Sequence, residues 1–206
     1  MKLHFNQYSD FLTIVGMKAS GKTTLTRLFI KSLTSLIFID PTWQLEGFGY
    51  VVHYPDRIEA AFKEWKKIVY QPIPDTAEAY TEAFDTCLRF YNYTLGIDEI
   101  DKFASPRWYI CESLKGLIRR GRRQSIGLIC NTRRPHLIHN DIRSSSDHVV
   151  CFKLHEERER KYMGEWLEID HLEIKRLPFY ESFYYNVRKA EVTKQAALPQ
   201  TVVDSL

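Results

Sequence analysis

The chain has 206 residues, 44% of them hydrophobic, with 29 Lys and Arg against 26 Asp and Glu, a formal charge of +3 and a pI near 8.6. That apolar content suffices for one α/β domain with a sizeable core and not for two large ones, so a single domain over 1–189 with a C-terminal tail over 190–206 is expected. The mildly basic balance permits a nucleic-acid partner without demanding one, and no window approaches the roughly 20 apolar residues of a membrane span, which leaves a soluble protein as the expectation.

Phe11-Leu12-Thr13-Ile14-Val15 is a short apolar run closed by Gly16 and reads as a buried strand. After a glycine-rich turn, Leu25, Leu28, Phe29 and Leu33 recur at helical spacing. Strands are expected at Ser35 to Asp40 and at Tyr50 to Tyr54, each stopped by a proline. Asp56 is placed to cap a helix reaching Trp65, ahead of a strand from Lys67 to Gln71. A helix from Thr76 to Phe90 and a strand from Tyr93 to Ile97 come next. Pro106 suits an early position of the following helix, which runs to about Arg120, and Ser125 to Thr132 reads as another buried strand. Val149 to Leu154 and Glu181 to Val187 are the last strand candidates, with a charged helix from Glu156 between them. Residues after Lys189 read as a loosely held tail.

Strands alternating with helices imply a mostly parallel central sheet flanked by helices, with ligands at the carboxyl ends of the strands. The glycine loop, the Asp98-Glu99 pair and the Asn131-Thr132-Arg133 group each follow an apolar strand, so all three should meet on one edge.

Gly16-Met17-Lys18-Ala19-Ser20-Gly21-Lys22-Thr23, followed by Thr24, is a complete GxxxxGKT loop between strand and helix. Its glycines let backbone N–H groups curl around a phosphate, Lys22 reaches the β and γ oxygens, and Thr23 is left to hold Mg²⁺. An ordinary glycine turn before a helix would not need that full set of residues. Asp98-Glu99 has the form of a Walker B element, in which the aspartate orients the magnesium water and the glutamate polarises the attacking water. An acidic pair can also simply leave a strand and cap a turn, but the loop upstream favours the chemical role. ATP and Mg²⁺ are thus the expected cofactors. The glutamate favours a RecA-like P-loop NTPase of the additional-strand type. Asp101 reads as a turn or surface residue.

Lys115, Arg119, Arg120, Arg122, Arg123, Arg133 and Arg134 put seven cations in twenty residues with no acid among them. They suit a solvated helix end, where cations complement the dipole, or arginine fingers for a γ-phosphate transition state. Lys63, Lys66 and Lys67 around Trp65, with Trp43, Phe48 and Tyr50 nearby in sequence, fit either a nucleic-acid contact or ordinary amphipathic edges. The seven histidines form no HExxH pattern, and Cys87, Cys111, Cys130 and Cys151 are too scattered for a metal or CxxC site, so free thiols in a reducing compartment are expected.

The stretch from Leu117 to Pro135, with Arg119-Arg120-Gly121-Arg122-Arg123 before a strand and Asn131-Thr132-Arg133-Arg134-Pro135 after it, resembles the FtsK-HerA superfamily of DNA-pumping ATPases. Asp40-Pro41 is similar to that family's acidic residue after its second strand, and the likeness covers Phe11 to Asp147. Within the superfamily the short chain resembles the genome-packaging ATPases of membrane-containing icosahedral viruses. The resemblance implies a ring-shaped homo-oligomer, a hexamer, that drives double-stranded DNA into a preformed capsid in the cytoplasm of a hot archaeal host. It also implies a possible place in the virion and a capsid or membrane protein as partner at the packaging vertex. Where the family often has a glutamine sensor this chain has Arg133, so the sensing role falls to Asn131, Thr132 or Arg133. A cellular HerA-like translocase, a phosphotransferase on a small substrate and an ATP-gated scaffold are the alternatives.

Overall fold

All five residues of β1 (Phe11–Val15) are buried, with Phe11 and Val15 in one core and Leu12 and Ile14 in another, as the period of two requires of a strand covered on both faces. The structure, a computed structural model, describes residues 4–199 and 203. After β1 come α1 (Lys22–Ser32), β2 (Leu36–Ile39), β3 (Tyr50–Val52), α2 (Ile58–Trp65), β4 (Lys67–Tyr70), α3 (Ala77–Cys87) and β5 (Tyr93–Ile97). A small hairpin of β6 (Ala104–Ser105) and β7 (Trp108–Tyr109) precedes α4 (Glu112–Arg120) and β8 (Ile126–Thr132). The chain ends through α5 (Asn140–Ser145), β9 (His148–Phe152), α6 (Glu157–Leu167), α7 (His171–Arg176), β10 (Ser182–Asn186) and β11 (Glu191–Gln195).

Nine strands form one sheet in the order β11-β10-β9-β1-β8-β5-β2-β4-β3. Every pairing from β9 to β3 is parallel, and β10 and β11 join antiparallel. β8 stands between β1 and β5, which is the inserted strand of the additional-strand class. The register then sets the functional edge. Ile14 pairs with Asn131, Ile97 with Cys130, Ile39 with Ile97 and with Tyr70. One residue past Cys130, Ile97, Ile39 and Tyr70, the side chains of Asn131 near the end of β8 and of Asp98, Asp40 and Gln71 just beyond β5, β2 and β4 therefore lie in one row, with Gly16 two residues past the Ile14 that pairs with Asn131.

Some expectations change. Pro106 sits in the turn joining β6 to β7, and the helix begins at Glu112, after Cys111 in extended conformation accepts a 3.4 Å bond from the Leu114 amide. Asp56 lies inside a 3₁₀ turn (Pro55–Arg57), and no side chain caps α2. The tail expected from 190 falls partly outside the described residues, and its first part is β11, paired with β10. Among the described residues no helix is long and apolar enough to cross a membrane.

Candidate functional site

Gly16 is held by its amide to the Thr132 carbonyl at 3.3 Å and Met17 by its amide to Lys153 at 3.0 Å, so the loop hangs between β8 and the end of β9. A Cβ at Gly16 would stand 2.5 Å from Ser20 Oγ and 2.7 Å from Phe152 Cβ, which only glycine avoids. Gly21, at φ 114, turns the chain into α1 in a backbone region that side chains disfavour. No side chain caps α1 and its first turn has no acidic residue. The amides of Lys22, Thr23 and Thr24 precede the first intrahelical bond, from Leu25 to the Gly21 carbonyl at 3.0 Å. Those donors and the positive helix end make an anion cradle. Ser20 Oγ, buried within the loop, has no hydrogen-bond partner of its own. Lys18 and Ala19 form the exposed crest, Ala19 at φ 61.

Lys22 Nζ donates to the carbonyls of Gly16 at 2.7 Å and Met17 at 2.9 Å, folding its charge over its own loop. Burial lowers its pKa to about 8, against the pull of Asp98 and Glu99 and with help from Arg133. Those charges show that the carboxylates from β5 and the arginine after β8 converge on the lysine.

Asp98 is a half-buried acid whose pKa is raised by desolvation, opposed by hydrogen bonds from Thr42 and Asn131 and reinforced by the negative charge of Asp40 and Glu99. Thr42 Oγ1 stands 2.7 Å from Asp98 Oδ2 and 3.1 Å from Asp40 Oδ1. Asp40 is fully buried and accepts from the Leu45 amide and from Gln71 Nε2, both at 3.0 Å. Asn131 Oδ1 accepts from Thr26 Oγ1 at 3.2 Å, tying β8 to α1. Thr23 Oγ1 donates to Gln44 Oε1 at 2.9 Å. A divalent cation held by Thr23 and Asp98 would fit this site, since it relieves the crowding of three carboxylates. Glu99 itself is in the left-handed region, at φ 49, and forms an ion pair with Arg133. Asp101 lies in the 3₁₀ turn after it and accepts from Thr132 Oγ1 at 2.7 Å. Thr42, Gln44 and Gln71 were not among the candidates from sequence; their only signal was their place just beyond apolar strands.

The structure thus brings together the loop, Asp98, Glu99, Asn131 and Arg133. It does not bring Arg119, Arg120, Arg122 or Arg123 to them. Those four precede β8, whose seven residues separate the two sheet edges by about 20 Å. There they border a cavity of about 480 Å³ with Asp10, Ser146 and Asp147. Arg119 pairs with Asp141 at 2.5 Å and Arg122 with Asp147 at 2.6 Å, whereas Arg120 and Arg123 are exposed with no ion pair among the described residues. The aromatic group is mutually engaged: Tyr50 stacks on Trp65 at 5.1 Å and Trp43 on His53 at 5.2 Å.

Sheet order and loop geometry define a P-loop NTPase fold of the RecA-like, additional-strand class. Among solved structures the chain is similar to the genome packaging NTPase B204 from Sulfolobus turreted icosahedral virus 2 in complex with AMPPCP, at 19% identity and a TM-score of 0.77, over 92% of this chain and 98% of that one. It is similar also to B204, the DNA-packaging ATPase from Sulfolobus turreted icosahedral virus, at 21% identity and 0.78, over 95% and 100%. VirB4 of Thermoanaerobacter pseudethanolicus matches at 8% and 0.68, over 91% and 89%. No protein-family model and no curated protein sequence matches the chain. The resemblance to viral packaging ATPases read from the residues therefore has its counterpart in the fold.

Proposed function

We propose that this protein is a Mg²⁺-dependent ATPase that translocates double-stranded DNA and packages a viral genome into a preformed capsid. The observation that carries the hydrolytic part is Glu99, a carboxylate directly after the half-buried Asp98 and within electrostatic reach of Lys22. The likeness to packaging NTPases supports the DNA part.

In this reading ATP lies along residues Gly16 to Thr24. The open amides of Lys22, Thr23 and Thr24 receive the phosphates, and Ser20 Oγ gains a partner. Lys22 swings from the carbonyls of Gly16 and Met17 to the β and γ oxygens. Thr23 and Asp98 would hold Mg²⁺, which when bound would neutralise developing phosphate charge. Glu99 takes the proton of the attacking water, for which it must first leave Arg133. Arg133 is then free to meet the γ-phosphate, with Asn131 reporting the change to α1 through Thr26. Arg119, Arg120, Arg122 and Arg123 face away from their own loop, so any finger among them acts on a neighbouring subunit of a hexameric ring. Such a ring would work in the host cytoplasm, docked on a capsid or membrane protein at the packaging vertex.

A triplex-displacement assay tests this. Wild-type protein with Mg-ATP should strip a third strand from duplex DNA, and Glu99→Gln should not. If ATP is consumed while the third strand stays bound, and added duplex leaves turnover unchanged, the motor reading fails in favour of a phosphotransferase on a small substrate.

A further inference from the structure

The phosphate loop has two flanks. Toward β8 and β5 lie Asp98, Glu99 and Arg133, where the γ end of a nucleotide is processed. On the other side of β1 run β9 and β10, and the turn before β10 carries Phe179 and Tyr180. A nucleotide laid along the loop with its γ-phosphate at the carboxylates sends its other end toward this turn.

The turn is fastened to the loop. The Tyr180 amide donates to the Ser20 carbonyl at 3.2 Å, and a Cβ at Gly21 would lie 3.3 Å from the Tyr180 ring. Lys153, whose carbonyl receives the Met17 amide, donates its ammonium to the Leu177 carbonyl at 2.8 Å and stands 5.6 Å from the Phe179 ring centre. Yet the rings themselves are half in water: Phe179 is 49% and Tyr180 54% exposed. Their centres lie 6.4 Å apart at an interplanar angle of 56°. Tyr180 also holds φ at 69, a conformation costly for a bulky side chain and one that concentrates at binding sites. Two large, half-exposed rings fastened to an anion cradle and tilted 56° to one another offer one ring face for stacking with the other ring flanking it.

We infer that Phe179 and Tyr180 form a shelf on which the base of the bound nucleotide stacks, an inference that rests on the nucleotide-binding reading above. Stacking uses the π-face that all bases share, so the shelf takes adenine and guanine alike and leaves base choice weak.

The test compares binding of ATPγS, GTPγS and inorganic tripolyphosphate, each with Mg²⁺, to wild-type protein and to Phe179→Ala, Tyr180→Ala and Tyr180→Phe. The alanine variants should weaken both nucleotides by roughly 5- to 150-fold, the worth of one aromatic–base stack, and leave tripolyphosphate unchanged. Tyr180→Phe, which keeps the ring, should bind as wild type does. Equal weakening of tripolyphosphate would mean that the turn only props the loop and would overturn the shelf, as would unchanged nucleotide affinity in both alanine variants. If wild-type protein binds none of the three, the phosphate-loop reading itself falls, and the shelf with it.

Discussion

Lys22 keeps its ammonium on two carbonyls of its own loop, in surroundings dry enough to bring its pKa down to about 8. Bound phosphate favours the charged form and raises that pKa again. Below about 8 the free lysine is already charged, so binding takes up no proton there. Above it, binding must draw one proton per site, and affinity should fall by about tenfold per pH unit. Calorimetry at about pH 9 in buffers of different ionisation heat should register that uptake. An affinity level from neutral pH to well above the lysine's pKa would contradict the assignment. The next residue-scale contrast is between Lys22→Ala, which should lose nucleotide, and Glu99→Gln, which should retain Mg-ATP while hydrolysing it roughly 10²–10⁴-fold more slowly. Equilibrium binding beside single-turnover hydrolysis reads both, and wild-type turnover in Glu99→Gln would remove it as the base. Lys22 was legible from the full GxxxxGKT set and Glu99 from its place just beyond an apolar strand. The Asp40 network was only partly so, since Gln71 meets Asp40 across 31 positions through the β2–β4 register, which no local pattern displays.

At the scale of elements, the opposite edge of the sheet depends on Asp147. It is buried and accepts from the Phe11 amide at 2.9 Å, Arg122 Nη2 at 2.6 Å and Arg188 Nε at 3.1 Å, joining β1, the turn before β8 and the turn after β10 to the start of β9. Asp147→Ala strands the Phe11 amide and should cost about 1–3 kcal/mol. Arg122→Ala should cost less, because Arg188 and the amide remain on the carboxylate, and exposed Arg123→Ala should stay within about 0.5 kcal/mol. Urea denaturation measures the series, and an equal loss in all three would show that Asp147 is not the anchor. The buried strands of the parallel sheet were readable as apolar runs. The edge strand β11, the two shortest helices and the small hairpin lacked such a signal. β11 contributes one apolar residue, Val192, on an exposed edge. Helices α5 and α7 have six residues each, too few to display a helical period. Pro106, which fits a helix start as well as a hairpin turn, took the turn.

At the scale of the whole molecule, the four arginines are divided by their partners. Arg119 and Arg122 pair with Asp141 and Asp147, whereas Arg120 and Arg123 are exposed with no ion pair among the described residues. If one acts in trans, mixing Glu99→Gln subunits with Arg120→Ala or Arg123→Ala subunits, each inactive alone, should restore turnover, because an intact Glu99 then meets an intact arginine from next door. Co-assembly without recovery would assign both to DNA or to no catalytic role. That division could not be read from the arginine-rich string, in which all four residues look alike.

The most direct measurement is the rate of ATP hydrolysis with and without double-stranded DNA, repeated across salt concentrations and unrelated sequences. A DNA motor should be stimulated by any duplex, with the stimulation falling steeply as salt rises because phosphate contacts release counterions. A rate that is the same with and without duplex at low salt, or one that responds to a single short sequence alone, would contradict the account.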